Sequence, residues 1–428
     1  MATQSRLGGR PPWAGAFCFV LAVGGCVAAA ETPDTGTQPK ADASSVAMDA
    51  GVDSSPVDLP PKVDAATGDT TPATDATTDG AQFGIATRPT KQTCTLPARA
   101  DQPVAKLSAT GCVEAADPKK PAASLIPYDV ISPLWSDDAD KQRFMAIPDG
   151  AKIHVKNCAR EPETCMPVFQ GGTSFDEGHW VLPVGTVLVK NFLFGNKFIE
   201  TRLFVRFPDM WAGYSYQWDA LQTDAALVPE EGLTADVLNA RGVKQSWSFP
   251  SRNDCLECHN ETAGASLGPD SRQFDWSIKY PSGIVANQLA TLEHIGMFDA
   301  PVARLPALVD FRAQGAGAPT LEKKVRSYLH ANCATCHRPE GNYSAIDLRF
   351  GVTLQNMKIC NIEPNKGDQG VVGSMRLFPA DPAKSVMVLR MQALDKLSGR
   401  MPQLGTSVLD TTGIGLVSDW IRSITSCP

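Results

Sequence analysis

The sequence predicts an α+β multidomain protein, in which a β-rich, sandwich-like N-terminal domain is followed by an α-helical C-terminal domain. Three observations carry that expectation. Between Ile126 and Pro250, short runs with β-branched or aromatic residues (Lys152-Ile153-His154-Val155, Gly185-Thr186-Val187-Leu188-Val189, Phe198-Ile199, Leu203-Phe204-Val205) alternate with Gly, Pro and Asn-Lys turns. Toward the C-terminus, apolar residues recur at helical spacing. Two Cys-x-x-Cys-His strings, Cys255-Leu256-Glu257-Cys258-His259 and Cys333-Ala334-Thr335-Cys336-His337, give that part its chemistry.

Two thiols one helical turn apart can form thioethers with the two vinyl groups of a haem, and the adjacent imidazole then reaches the iron as proximal ligand. One such string is compatible with a dithiol redox pair or half of a zinc site. Two in one exported chain point to two covalently bound c-type haems. Cys255 and Cys258 would anchor the first with His259 on its iron, and Cys333 and Cys336 the second with His337.

Export is read from the N-terminus, where Arg6 and Arg10 precede an apolar run, Trp13 to Val23, that is too short to span a bilayer and suits a signal-peptide core. Small residues lead directly into Cys26, as at a bacterial lipoprotein processing site, so residues 1–26 read as a lipoprotein-type signal with Cys26 lipidated. Cleavage after Ala28-Ala29-Ala30 is the competing reading. Residues 27–90, dominated by Asp, Thr, Ala, Pro, Ser and Gly, cannot bury enough apolar surface to fold and read as a disordered acidic tether. The expected location is periplasmic, or the outer membrane or cell surface of a bacterium, with the lipid as membrane contact. The remaining divisions are a β-rich domain over 91–250, a first haem-binding segment over 251–318 and a helical haem domain over 319–428.

The net charge of −7 and the lack of a basic run exclude nucleic acid as an expected partner. Of twelve cysteines, six remain after the signal, the lipid site and the haem strings are counted. An even remainder in an exported protein suggests disulfides. Proximity favours Cys94 with Cys112 and Cys158 with Cys165, which leaves Cys360 for Cys427.

Trp135, Trp180, Trp211, Tyr214, Tyr216 and Trp218 crowd the β segment. They are expected in the core, with a ligand groove as the alternative. The string Ser136-Asp137-Asp138-Ala139-Asp140 lacks the spacing and glycine of a calcium loop and reads as a salt-bridged turn.

Thr320 can cap a helix whose Leu321, Val325, Tyr328 and Leu329 share one face and which runs directly into Cys333. Asp381-Pro382 reads as a second helix start, leading into Val386, Leu389 and Met391. Ile414, Val417, Ile421 and Ile424 mark a third. The approach to Cys255, Trp247 to Ser251, reads as a loop, so the first haem is expected where the domains join. Downstream, Ile284, Val285, Gln288, Leu289 and Leu292 suggest a helix ended by Gly296. His294 and Met297 are the weak candidates for the distal position of the first haem. His154 and His179 are weaker still, and His330 is expected to be a helix-end residue.

Between the last two helices, Gly399-Arg400-Met401-Pro402 resembles the Met-Pro loop of small class I cytochromes c. The resemblance implies Met401 as the distal ligand of the second haem and a cytochrome c-like C-terminal domain. From Thr93 onward, Ser132-Pro133-Leu134-Trp135-Ser136-Asp137, Leu182-Pro183-Val184-Gly185-Thr186, Glu200-Thr201-Arg202-Leu203 and Asn332-Cys333-Ala334-Thr335-Cys336-His337-Arg338-Pro339 resemble an uncharacterised bacterial family of secreted di-haem cytochrome-like proteins. That likeness implies export, two haems and electron transfer, with a redox partner protein such as a periplasmic dehydrogenase. The competing readings are a di-haem peroxidase or oxygenase with an open first haem, and a ligand-binding β module with accessory haems.

Overall fold

Alternating Val, Leu and Phe over residues 187–218 favour extended chain, because side chains on opposite faces of a strand can enter different cores. The computed structural model describes residues 82–97, 99–165, 175–395 and 399–428, which belong to one compact unit. The expected signal peptide, Cys26 and all but the end of the acidic tether lie outside the described residues.

Six strands form the central sheet: β1 (Ile126–Tyr128), β2 (Asp140–Ala146), β3 (Val187–Phe194), β4 (Lys197–Arg206), β5 (Trp211–Trp218) and β6 (Ala225–Leu227). They pair antiparallel in sequence order. The remaining strands make two-stranded ribbons, so a single sheet with ribbons stands where a sandwich was expected. The reason is that residues 94–125 pack as coil and short elements over one sheet face, against Val187, Val189, Leu203, Val205, Tyr214 and Tyr216, in the place of a second sheet. Tyr214 and Tyr216 donate to the Ala100 and Val104 carbonyls (2.7 and 2.8 Å). Trp180, Tyr214, Tyr216 and Trp218 are buried, as core aromatics.

The other sheet face is divided into three zones by the register. Met145, Leu188 and Phe204 enter one apolar cluster, Phe192 enters a second with Trp247 and Phe249, and Arg143, Lys190 and Arg202 form a row between them. Trp247 to Phe249, expected as a loop, belong to a ribbon strand, Lys244–Phe249, paired with Leu233–Leu238. The segment downstream of the first motif is likewise divided. Val285–Asn287 is a strand, and helix α3 (Gln288–His294) starts only at the Asn287 cap. The β-branched Ile284-Val285 pair explains the difference, since it fits the edge of a ribbon better than a helix interior.

Helices α1 (Arg252–Cys258) and α2 (Ser271–Phe274) precede α3; α4 (Leu321–Asn332), α5 (Val386–Gln392) and α6 (Thr411–Ser423) follow it. Thr320 caps α4, accepting from Lys323 N–H (3.4 Å). Asp381-Pro382 opens only a short 3-10 turn, Pro382–Lys384, and α5 begins after Ser385. Val325, Tyr328 and Leu329 of α4 pack with Val417, Trp420 and Ile421 of α6 in one core. Tyr328 Oη also donates to Asp410 (2.9 Å), the cap of α6. Disulfides join Cys94 to Cys112, Cys158 to Cys165 and Cys360 to Cys427, the pairs expected from the sequence.

Candidate haem-attachment site

Ser251-Arg252-Asn253-Asp254 supplies a reciprocal cap: Ser251 Oγ accepts from Asp254 N–H, and Asp254 Oδ2 accepts from Ser251 N–H, both at 3.0 Å. This cap starts α1, which carries Cys255 and Cys258 and ends at His259. Cys255 lies against β5 at Gly213, where a Cβ would stand 2.6 Å from its Sγ. A side chain at position 213 would therefore displace the thiol. His259 rests on Phe204 with ring centroids 4.0 Å apart. Its Nδ1 lies 2.7 Å from the Ala265 carbonyl, which assigns the ring proton to Nδ1 and leaves the Nε2 lone pair free. Burial pushes its pKa down to about 4, so the imidazole is neutral at neutral pH.

The second motif repeats the arrangement from a different lead-in. Cys333 is the C-terminal cap of α4, and the N–H groups of Cys336 and His337 turn back to its carbonyl (3.2 and 2.9 Å). His337 Nδ1 donates to the Tyr343 carbonyl (3.3 Å), and burial again lowers the pKa to about 4. An imidazole fixed through Nδ1 to a carbonyl and open at Nε2 is the form an axial iron ligand needs. His330 is instead engaged, its Nδ1 accepting from Phe350 N–H (3.2 Å).

The two motifs adjoin. The Cys336 thiol lies 3.9 Å from the Glu257 carbonyl, within the first motif, and the nearby Cys258 thiol pulls the Cys336 pKa down. Asn260 Nδ2 donates to the Thr335 carbonyl (3.2 Å), and Asn342 Nδ2 donates to the Glu257 carbonyl and carboxylate (2.9 and 2.8 Å). Behind them, Arg338 donates to the Thr262 carbonyl (2.6 Å) and to Glu177 (3.1 Å), while Arg349 pairs with Glu177 (2.8 Å) and Asp347 (2.7 Å). Burial alone would raise the Glu177 pKa; Arg338, His179 and Arg349 hold it well below the usual carboxylate range.

Met401 lies half-buried between α5 and α6, its N–H donating to the Arg390 carbonyl (2.9 Å). Two residues on, Gln403 Oε1 accepts from Tyr343 Oη (2.8 Å), so the Met401 loop and His337 meet at the same tyrosine. The loop is held at its far end by Asp137, whose carboxylate accepts from Ser407 N–H (2.8 Å), Ser407 Oγ (2.9 Å) and Val408 N–H (3.0 Å). The acidic string expected as a salt-bridged turn thus anchors backbone instead. Its left-handed Asp137 and Asp138 are what turn the carboxylate out of line with β2. Trp135 N–H, in the same stretch, donates to Asn332 Oδ1 (2.6 Å), the residue before Cys333. Trp135 Nε1 is buried with no protein partner among the described residues, an orphan donor beside the second motif.

His294 is exposed, stacked on Phe83 (3.8 Å) with Nε2 3.2 Å from the Ala86 carbonyl, and Met297 is wholly buried with Ile153, Leu289 and Leu292. Both are occupied by packing or hydrogen bonds of their own. His154 bridges Asp299 (2.8 Å) and Glu161 (3.1 Å), and His179 Nε2 lies 3.5 Å from Glu177. Among the described residues no group of three His, Cys, Asp or Glu is placed to hold a bare metal ion. A haem iron takes four ligands from its own porphyrin and needs only axial ones from protein. The free Cys255, Cys258, Cys333 and Cys336 together with two imidazoles open at Nε2 fit two covalent c-type haems.

No family model, curated protein or solved structure matches this chain. Its likeness to secreted di-haem cytochrome-like proteins rests on the motifs alone.

Proposed function

We propose that this chain is an exported di-haem c-type cytochrome that carries electrons, anchored to a membrane through Cys26. The observation that carries the reading is that two motifs far apart in sequence adjoin in space and hold their histidines alike, Nδ1 on a carbonyl and Nε2 open. A c-type haem supplies a one-electron ferric–ferrous couple. The chain anchors each haem through its thiols, orients His259 and His337 from the side away from the iron, and packs Phe204 against the first imidazole. Met401, on the loop tied to Tyr343 and Asp137, would supply a thioether sulfur to the iron of the second haem, in a C-terminal domain of cytochrome c type. A dehydrogenase outside the cytoplasm is the proposed electron donor.

A second reading, a di-haem peroxidase or oxygenase, draws on the engagement of His294 and Met297 elsewhere, which leaves the distal side of the first haem without either. Resting-state absorption and electron paramagnetic resonance of the purified protein test the choice. Two low-spin signals are expected of a carrier; one high-spin signal would favour the enzyme.

A further inference from the structure

The basic row on the sheet is only partly paired. Arg143 of β2, Lys190 of β3 and Arg202 of β4 are direct cross-strand neighbours, and like charges placed opposite one another destabilise a sheet. Arg143 is relieved by an ion pair with Asp129, and Arg202 by a fork onto Glu200 (2.7 and 2.9 Å), whose other donor is Trp247 Nε1 (3.0 Å). Lys190 has no ion pair among the described residues; its ammonium sits 4.9 Å over the Phe192 ring. Burial, with Arg143, Lys141 and Arg202 adding to it, pushes its pKa well below the usual lysine range. It nevertheless keeps part of its surface open.

The row borders the first motif. Phe204, on which the His259 ring rests, is two residues from Arg202 on the same face of β4. A half-buried cation without a counter-ion is costly, and the haem proposed for this motif brings two carboxylates. We infer that the Arg143–Lys190–Arg202 row, with Lys190 as the unpaired contact, receives a carboxylate of the first haem. This rests on the di-haem reading.

The test is spectroelectrochemical titration of the holoprotein and of its Lys190→Gln, Lys190→Met and Lys190→Arg variants. Lys190→Met keeps an apolar stem over Phe192 and removes a desolvated charge, so it supplies a folded uncharged form. Loss of the cation disfavours the reduced, more negative haem. The Gln and Met variants should shift the equilibrium of one haem about tenfold toward the ferric form, near 59 mV for one electron, and shift its propionate-bending band in the resonance Raman spectrum. Lys190→Arg should retain both wild-type values. Two unmoved potentials in a protein with two covalent haems, or a wild-type potential that follows added phosphate, would overturn this assignment alone. A chain with no covalent haem overturns it together with the reading beneath it.

Discussion

Asn260, the residue directly after the first Cys-x-x-Cys-His string, donates from Nδ2 to the carbonyl of Thr335 inside the second string, at 3.2 Å. The contact is made by elements with different origins, a capped helix leaving the sheet and the end of α4, and Asn260 and Asn342 tie them together. Two such motifs side by side are what the proposed internal electron transfer requires.

Replacing Met401 by His should lower the reduction potential of one haem and abolish the methionine-sulfur charge-transfer band at the red end of the visible spectrum, because the axial ligand is a principal lever on potential. A spectrum identical to wild type would place Met401 in the core and another residue on the iron.

Asp137→Ala should free the Met401 loop. Ser407 and Val408 lose an acceptor for two half-buried N–H groups, at a cost of about 1 kcal/mol or more. Thermal melts should show that loss, and the charge-transfer band of the second haem should weaken at temperatures where the far-ultraviolet signal is intact. A band as stable as in wild type would mean that Arg400 and Arg390 position the loop without Asp137.

Much of this site was legible in the sequence. The Cys-x-x-Cys-His spacing picks out the two segments that the fold brings together, and Thr320 with the apolar face behind it marks α4, because both signals are local. The Ser251–Asp254 cap before Cys255 was equally local, but α1 has cysteines where an apolar face should be, so periodicity could not find it. Asp137 is a different case. Its partners Ser407 and Val408 lie at the other end of the chain, and no local pattern distinguishes a carboxylate in a polar turn from one that reaches across the fold. The basic row was hidden for the same reason, since Arg143, Lys190 and Arg202 become neighbours only through sheet register.

Glu177→Gln should destabilise the protein strongly, by about 3 to 5 kcal/mol, since Arg338 would keep a buried charge without its counter-ion, while Arg349 retains Asp347. Denaturant unfolding measures the loss. A change within 1 kcal/mol, on the order of an exposed pair, would mean that water reaches this network.

His154 should titrate above its ordinary value, because Asp299 first, then Glu161, favour the charged ring, and Asp299→Asn should bring it down. A raised folded pKa adds stability that is complete below about 6.5 and is lost as pH rises through the raised value. Nuclear magnetic resonance of the imidazole proton reads the midpoint directly. A midpoint at or below the ordinary value would mean that the two carboxylates are turned to solvent.

The most direct test of the di-haem account is the intact mass of the protein produced with a haem-attachment system, alongside a Cys255→Ser/Cys258→Ser variant and a Cys333→Ser/Cys336→Ser variant. The account predicts two covalent haems on the wild type and one on each variant. An unmodified wild-type apoprotein would contradict it.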